Sequence, residues 1–257
     1  MIIIAGVVFY AAILPINVRA EEPAGTVAPA GTECKSVTCG ADAGVFSKYV
    51  FRGVLATDGA VFQPDVWVSW KGATFTVWSN MDLTDKNGVE HKFSEVDYSL
   101  DYSGSVGKIL YSAGAVYYAY PNTNFHNTSE VYGAVGVDTF LKPRLIAYYD
   151  YIEANGWYTA LSAGHDVTLF EKGPVKASAS VSASLGFGTK NYNRFYFGSD
   201  HGAFTDLQIN TAIPFVVMER FTVKPSLTWS SRLDGTIRTK NVKNDNVVVG
   251  ITLSVTM

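Results

Sequence analysis

Over most of its length this chain alternates apolar and polar side chains, the period-two signature of β-strands with two unlike faces. The pattern is clearest in the last twelve residues, Asn246 to Met257. There Val247, Val249, Ile251, Leu253, Val255 and Met257 share one face, and Gly, Ser and Thr dominate the other. Further back, Val175 to Phe187 places Val175, Ala177, Ala179, Val181, Ala183, Leu185 and Phe187 against Lys176, Ser178, Ser180, Ser182 and Ser184. In 93–102 the apolar set Val96, Tyr98, Leu100 and Tyr102 opposes Glu95, Asp97, Ser99 and Asp101. Three carboxylates on one face of one strand are costly in lipid, so they must point into a barrel interior. A soluble sandwich would turn the same apolar face inward, and alternation alone does not separate the two senses.

The alternation predicts about twelve strands, near 44–54, 61–71, 73–83, 92–103, 108–120, 127–140, 143–153, 157–169, 174–187, 203–216, 220–232 and 246–257. Tight links (71–72, 104–107, 141–143, 171–174, 217–219) follow the even-numbered strands. Longer polar links (55–60, 84–91, 121–126, 154–156, 188–202, 233–245) follow the odd-numbered ones. Strict alternation of short and long connections is expected of an up-and-down transmembrane barrel with both termini periplasmic, short turns inside and long loops outside; nothing in a β-sandwich requires it. A secreted chain that ends on an apolar-faced strand resembles the C-terminal signature of bacterial outer-membrane barrels, although Met257 stands where that signature usually has Phe.

Residues ahead of the strands read differently. The apolar stretch Ile2 to Ile16, followed by Val18-Arg19-Ala20, predicts a cleavable export signal over 1–20. The missing basic segment before it leaves an upstream start or an uncleaved anchor as alternatives. From 21 to 43 Pro, Ala, Gly and Thr dominate without periodicity, which predicts a flexible periplasmic leader ahead of a barrel over 44–257. That leader holds both cysteines, Cys34 and Cys39, whose spacing in an oxidising compartment favours a disulfide loop over a zinc site lacking two further ligands.

Composition narrows the functional classes. Of the 257 residues 47% are hydrophobic, 14% aromatic and 17% charged, and no apolar run beyond the first segment is long enough for a membrane helix. A formal charge of −3 without basic blocks gives no reason to expect nucleic acid as a partner.

The run Ser47-Lys48-Tyr49-Val50-Phe51-Arg52-Gly53-Val54, with Thr57-Asp58-Gly59, Gln63 and 73–80 around Trp78, resembles the opening motif of the Gcw_chp family of conserved hypothetical outer-membrane barrel proteins. Glu95-Val96-Asp97, 101–104, 117–121 and Glu130-Val131-Tyr132 are similar to that family's following blocks, so the resemblance spans roughly 44–140. It implies a barrel in the outer membrane of a Gram-negative bacterium, folded there by the barrel-assembly machinery among lipid and lipopolysaccharide. It implies no substrate and no catalytic residues.

Polar parity then assigns an inward set: Lys48 and Arg52 on the first predicted strand, Asp65 and Lys71 on the second, Asn80 and Asp82 on the third, and Glu95, Asp97 and Asp101 on the fourth. Further round come Glu130 and Asp138, Arg144 and Asp150, Lys176, Asp206, and Lys224 with Arg232. Acids then concentrate on strands two to four, while Lys224, Arg232, Lys48 and Arg52 gather across the seam. Such a transverse field would orient and select polar or ionic solutes. Pairing of the same charges across a plugged lumen carries equal weight, because desolvated charges need partners.

Other chemistry is thinner. Four histidines, His91, His126, His165 and His201, and many serines leave a lipid hydrolase open, yet no G-x-S-x-G elbow, metal cluster or cofactor motif is present. Aromatics at 117–120, 148–151 and 192–197 fit membrane girdles better than a sugar platform. The 188–202 link, with Lys190, Arg194, Asp200 and His201, is the candidate lid or contact with lipopolysaccharide phosphates. The expectation is a narrow porin-like channel for small polar solutes, without cofactor or metal. A closed structural or adhesive barrel comes second, and an outer-membrane lipid hydrolase third.

Overall fold

The computed structural model describes residues 37–257; the expected export segment, most of the expected leader and Cys34 lie outside the described residues. In chain order the strands are β1 (Thr38–Phe46), β2 (Tyr49–Phe51), β3 (Val54–Thr57), β4 (Val61–Trp70), β5 (Ala73–Asp82), β6 (Phe93–Val106), β7 (Ile109–Ala119) and β8 (Thr128–Val137). There follow β9 (Arg144–Asp150), β10 (Gly156–Lys172), β11 (Val175–Gly188), helix α1 (Lys190–Phe197), β12 (Ala203–Ala212), β13 (Phe215–Val217), β14 (Phe221–Arg232), helix α2 (Gly235–Lys240) and β15 (Asp245–Thr256). All but β2 and β3 form one antiparallel sheet that closes on itself, because β1 pairs with both β4 and β15. Pro214 cannot donate to the ladder, and β12 and β13 are two halves of one stave broken around it. The result is a closed twelve-stranded barrel.

The sense of the faces is settled on β6. Leu100 is 59% exposed on the outside, while Ser99 and Asp101 are 2% and 5% exposed inside. Leu253, Val249, Phe75 and Val181 likewise lie on the outer surface. A wall that is apolar outward and polar inward is stable only with hydrocarbon around it. Aromatics crown the band near both rims, with Trp70, Tyr102, Tyr111 and Phe221 at one end and Tyr117, Trp157, Phe187 and Phe204 at the other. Among the described residues no helix is long and apolar enough to cross a membrane.

One end of the barrel holds the start of β1, the end of β15 and the short turns; the other holds the long connections, including α1 and α2. Lys71-Gly72, both at positive φ (50° and 86°), make the two-residue turn that joins Trp70 to its partner Ala73. Every stave but the first matches its predicted strand to within about three residues.

The first stave is a correction. Expected at 44–54, it is β1 at Thr38–Phe46, so the barrel begins inside the segment read as leader. Its inward positions are Gly40, Asp42 and Gly44, too small to register as a strand by hydrophobicity. Its neighbours supply the missing volume, since Trp67 lies against Gly40 and the Phe46 ring covers both Gly44 and Gly250. Cys39 sits on this strand opposite Val68, with its backbone bonded to Met257. The expected disulfide would need Cys34, outside the described residues.

Candidate functional site

Much of the expected first stave, 44–54, and part of the expected link 55–60 form a hairpin of their own, β2 and β3, which pair in a sheet only with each other. Arg52 and Gly53 both have positive φ (46° and 78°), the geometry of a two-residue hairpin turn. Entering from the loop end, the hairpin carries Tyr49, Val50, Arg52 and Thr57 to positions no more than 3% exposed. Lys48 and Arg52 are therefore corrected: neither lies on the wall. Lys48 stays at the loop end, 3.0 Å from Asp58.

Arg52 is 1% exposed and forms a two-pronged pair with Glu130 of β8, Nη1 to Oε1 at 2.8 Å and Nη2 to Oε2 at 2.9 Å. Its guanidinium also lies over the rings of Tyr148 of β9 (3.9 Å) and Tyr158 of β10 (4.7 Å). Tyr118 of β7 donates its hydroxyl to the second Glu130 oxygen at 2.7 Å, so donors converge on this carboxylate from two sides. Opposite, Arg232 of β14 donates from Nε to the carbonyl of Gly53 at 2.7 Å. The base of the hairpin is tied to β5, where Thr57 donates to Asp82 at 3.2 Å; Asp82 also accepts from Asn80, Asn87 and Ser94. Outside the wall, Asp58 is gripped by Lys48 and Lys243, and hydrogen bonds from Lys243 and Lys48 hold its carboxyl below the usual carboxylate range.

Two short helices complete the plug. Tyr192 and Phe197 of α1 and Ile237 of α2 pack against Ile146, Tyr148, Tyr158 and Ala160 on the inner wall. Helix α1 ends on Gly198 in the left-handed conformation, and Lys240 of α2 donates to its carbonyl. Asp234 caps α2 by accepting from the backbone of Thr236 and Ile237. Its other oxygen is 3.2 Å from His201 Nε2, and His201 Nδ1 is 3.2 Å from Ser199 Oγ. Burial raises the Asp234 pKa, but the Ile237 N–H, His201 and the Thr236 N–H outweigh it and hold the carboxyl low. A Ser–His–Asp set thus does come together, from residues that sequence reasoning left undistinguished. Ser199 has no exposed surface, and one Asp234 oxygen caps α2 while the other faces His201, so these contacts tie the two helix-bearing loops together.

The other expected lumenal residues divide by position. Asp65, Asp82, Glu95, Asp97, Asp101, Glu130 and Arg232 are buried on inner faces, with Arg144 and Lys224 inward nearer the turn end. Asp101 accepts from Tyr132 at 2.7 Å, and Asp206 accepts from Thr205 at 2.6 Å and Tyr158 at 3.3 Å. Asp150 is buried but anchors a turn, accepting from Thr128 and from the backbone of Ile152 and Glu153. Asp138 is a correction: β8 ends at Val137, parity lapses with the ladder, and Asp138 is exposed on the following turn. Lys176 is exposed at the rim, 4.0 Å from Glu171, because it is only the second residue of β11. Lys71 lies in a turn, over the Trp70 ring. The cations expected along one seam are thus partly drawn onto the plug, while the acids of β4 to β6 keep a wall to themselves.

Filling is uneven along the axis. The loop-end half holds the hairpin and the helix side chains, whereas in the turn-end half the inward residues of β10, β11 and β14, such as Ser162, Asp166, Ser180, Ser182, Lys224 and Ser226, are partly exposed and those of β5 to β7, such as Thr74, Thr76, Ser103 and Ser112, are buried. One side of that half is therefore polar and partly open. The aromatics divide as well: Tyr118 and Tyr148 of the wall and Tyr192 of α1 are buried in the plug, while Tyr117, Tyr151 and Phe195 are exposed.

With this geometry, the chain can be set beside known structures. A NanC porin superposes with a TM-score of 0.53 at 11% identity, over 84% of this chain and 98% of that one. LpxR from Salmonella typhimurium gives 0.55 at 9% identity, over 86% and 99%. The fold is that of an outer-membrane β-barrel. No family model and no curated protein matches the sequence. At such identities the likeness extends to the outer-membrane barrel architecture, which the apolar outer band requires independently.

Proposed function

We propose that the barrel is a narrow channel for small polar or ionic solutes, with the 47–60 hairpin as its constriction. The observation that carries this reading is the chemistry of the plug's fastening. The hairpin is held by side-chain pairs, Arg52 to Glu130, Arg232 to the Gly53 carbonyl and Thr57 to Asp82, and shares no backbone ladder with the wall. A segment fastened by side chains separates from an intact barrel at far lower cost than a stave does. Behind it the β10, β11 and β14 side of the lumen is lined by partly exposed polar side chains, as aqueous conduction requires.

Single-channel recording of the refolded protein in a planar bilayer tests it, with the reversal potential measured under a salt gradient. Discrete ion-selective steps are expected. Silence from a protein shown to be folded, and equal silence when Arg52 is replaced, would sink the channel and leave the closed barrel with binding loops. Release of fatty acid from outer-membrane lipid, abolished by His201→Ala, would instead favour the hydrolase.

A further inference from the structure

Most buried carboxylates in this barrel are consumed by donors of the chain. Glu130 receives Arg52 and Tyr118; Asp82 receives Thr57, Asn80, Asn87 and Ser94; Asp150 receives Thr128 and two backbone N–H groups. Asp97 is different. It is 4% exposed, and among the described residues its Oδ1 accepts no hydrogen bond. On the same wall the Oε1 of Gln63, 3% exposed, is also an acceptor without a donor, although its Nε2 is fixed by donation to Asn80 at 2.9 Å.

The sheet register brings these atoms onto one surface. Asp65 of β4, Trp78 of β5 and Asp97 of β6 are cross-strand partners in a single row, and Asn80 and Glu95 pair in the adjacent row. All point inward and are less than 10% exposed. Tyr49 of the hairpin packs on Trp78 with ring centroids 5.7 Å apart. Arg52, the cation inserted into this half of the lumen, is already engaged by Glu130. The wall therefore offers carboxyl groups, acceptors without donors and an aromatic ring; among the described residues none donates to Asp97 Oδ1 or Gln63 Oε1, and Trp78 Nε1 in the same row is itself a buried donor without an acceptor.

We propose that the inner wall of β4, β5 and β6 binds a small organic cation of guanidinium or primary-ammonium type, with Asp97 and Gln63 accepting its N–H groups, Asp65 adding charge and Trp78 its ring. A ligand for this wall must bring both positive charge and several N–H donors, since buried acceptors are costly when unmet and a buried carboxylate is costlier still. Guanidinium and ammonium groups meet both needs and favour the face of an indole. A directly coordinated metal ion fits less well, because no three Asp, Glu, His or Cys side chains among the described residues converge closely enough to hold one. The inference rests on the reading that the lumen admits small solutes, and it makes the solute class cationic.

The test is saturation-transfer NMR on the refolded barrel in micelles, with methylguanidinium as probe and methanesulfonate as the matched anion. Methylguanidinium should show saturable transfer and methanesulfonate none. Asp97→Asn should weaken methylguanidinium binding by about tenfold or more, the scale of one lost charge-assisted contact. That variant removes a buried charge that lacks a full set of donors, so it should keep the heat-modifiable gel mobility of a folded barrel; Asp65→Asn serves as a second variant. Absence of methylguanidinium transfer in the wild type, or equal transfer in folded wild type and Asp97→Asn, overturns the proposal even if bilayers show conductance. Binding that Asp97→Asn abolishes, together with bilayer silence, supports the site and removes the channel reading alone.

Discussion

Replacing Arg52 by Met should unfasten the plug while leaving the barrel closed. Methionine keeps much of the aliphatic stem and removes the guanidinium. That forfeits two charge-assisted hydrogen bonds to Glu130, at 2.8 and 2.9 Å, and the stacking over Tyr148 at 3.9 Å. At roughly 1.5–3 kcal/mol for each such bond, less the relief of no longer desolvating a cation, removing one partner of a buried pair costs about 3–5 kcal/mol. Glu130, no more exposed than 1%, would be left with the Tyr118 hydroxyl as its remaining side-chain donor. None of the ladder bonds of β8 is touched, so the loss falls on the equilibrium between seated and released hairpin. Three kcal/mol or more shifts that ratio by a factor of roughly 10²–10³. The assay pairs bilayer conductance with hydrogen exchange of residues 49–57. Arg52→Met and Glu130→Gln should each raise open probability and deprotect the hairpin, and the double variant should be far less than additive, with a coupling of about 2–3 kcal/mol. Singles that leave exchange and conductance unchanged, or a double variant that is simply additive, would refute the latch.

Three further outcomes follow from the same geometry. Gly53→Ala should loosen the hairpin by about 1–3 kcal/mol, because φ is +78° and the new methyl would sit 2.8 Å from the Asp206 Cβ; unchanged hairpin exchange would count against that packing. Leu100→Arg should cost about 2–4 kcal/mol in folding into liposomes, read by urea titration of gel mobility, and an effect no larger than that of Ser99→Thr would contradict the lipid-facing assignment. The Asp58 carboxyl, held below its ordinary value of 3.8 by Lys243 and Lys48, stabilises the loop contact fully above that value and loses it as pH falls through its own lower pKa. Its carboxyl carbon should therefore titrate by NMR with a midpoint below 3.8; a midpoint at or above 3.8 would remove the bridge.

Period-two alternation by itself determined the strands from Val61 onward, their division into two faces and the alternation of short turns with long loops. These are local properties, because a side chain's face follows from its parity whatever the partner strand is. Hence Asp65, Glu95, Asp97 and Asp101 could be placed inside before any pairing was known. Parity is silent once a ladder ends, which is why Asp138 reads as lumenal and lies on a turn. Only the tertiary structure decided which of two adjacent stretches closes the barrel. Residues 38–46 win despite their glycines, because closure needs a ladder to both β4 and β15 and Phe46 and Trp67 fill the space above those glycines. Most of the expected strand 44–54 goes instead to a hairpin over 49–57, whose Arg52 meets a carboxylate 78 residues away. That meeting depends on the curvature of a closed sheet, which brings the lip between β1 and β4 over β8 and β14, and no local pattern encodes a distance across a barrel.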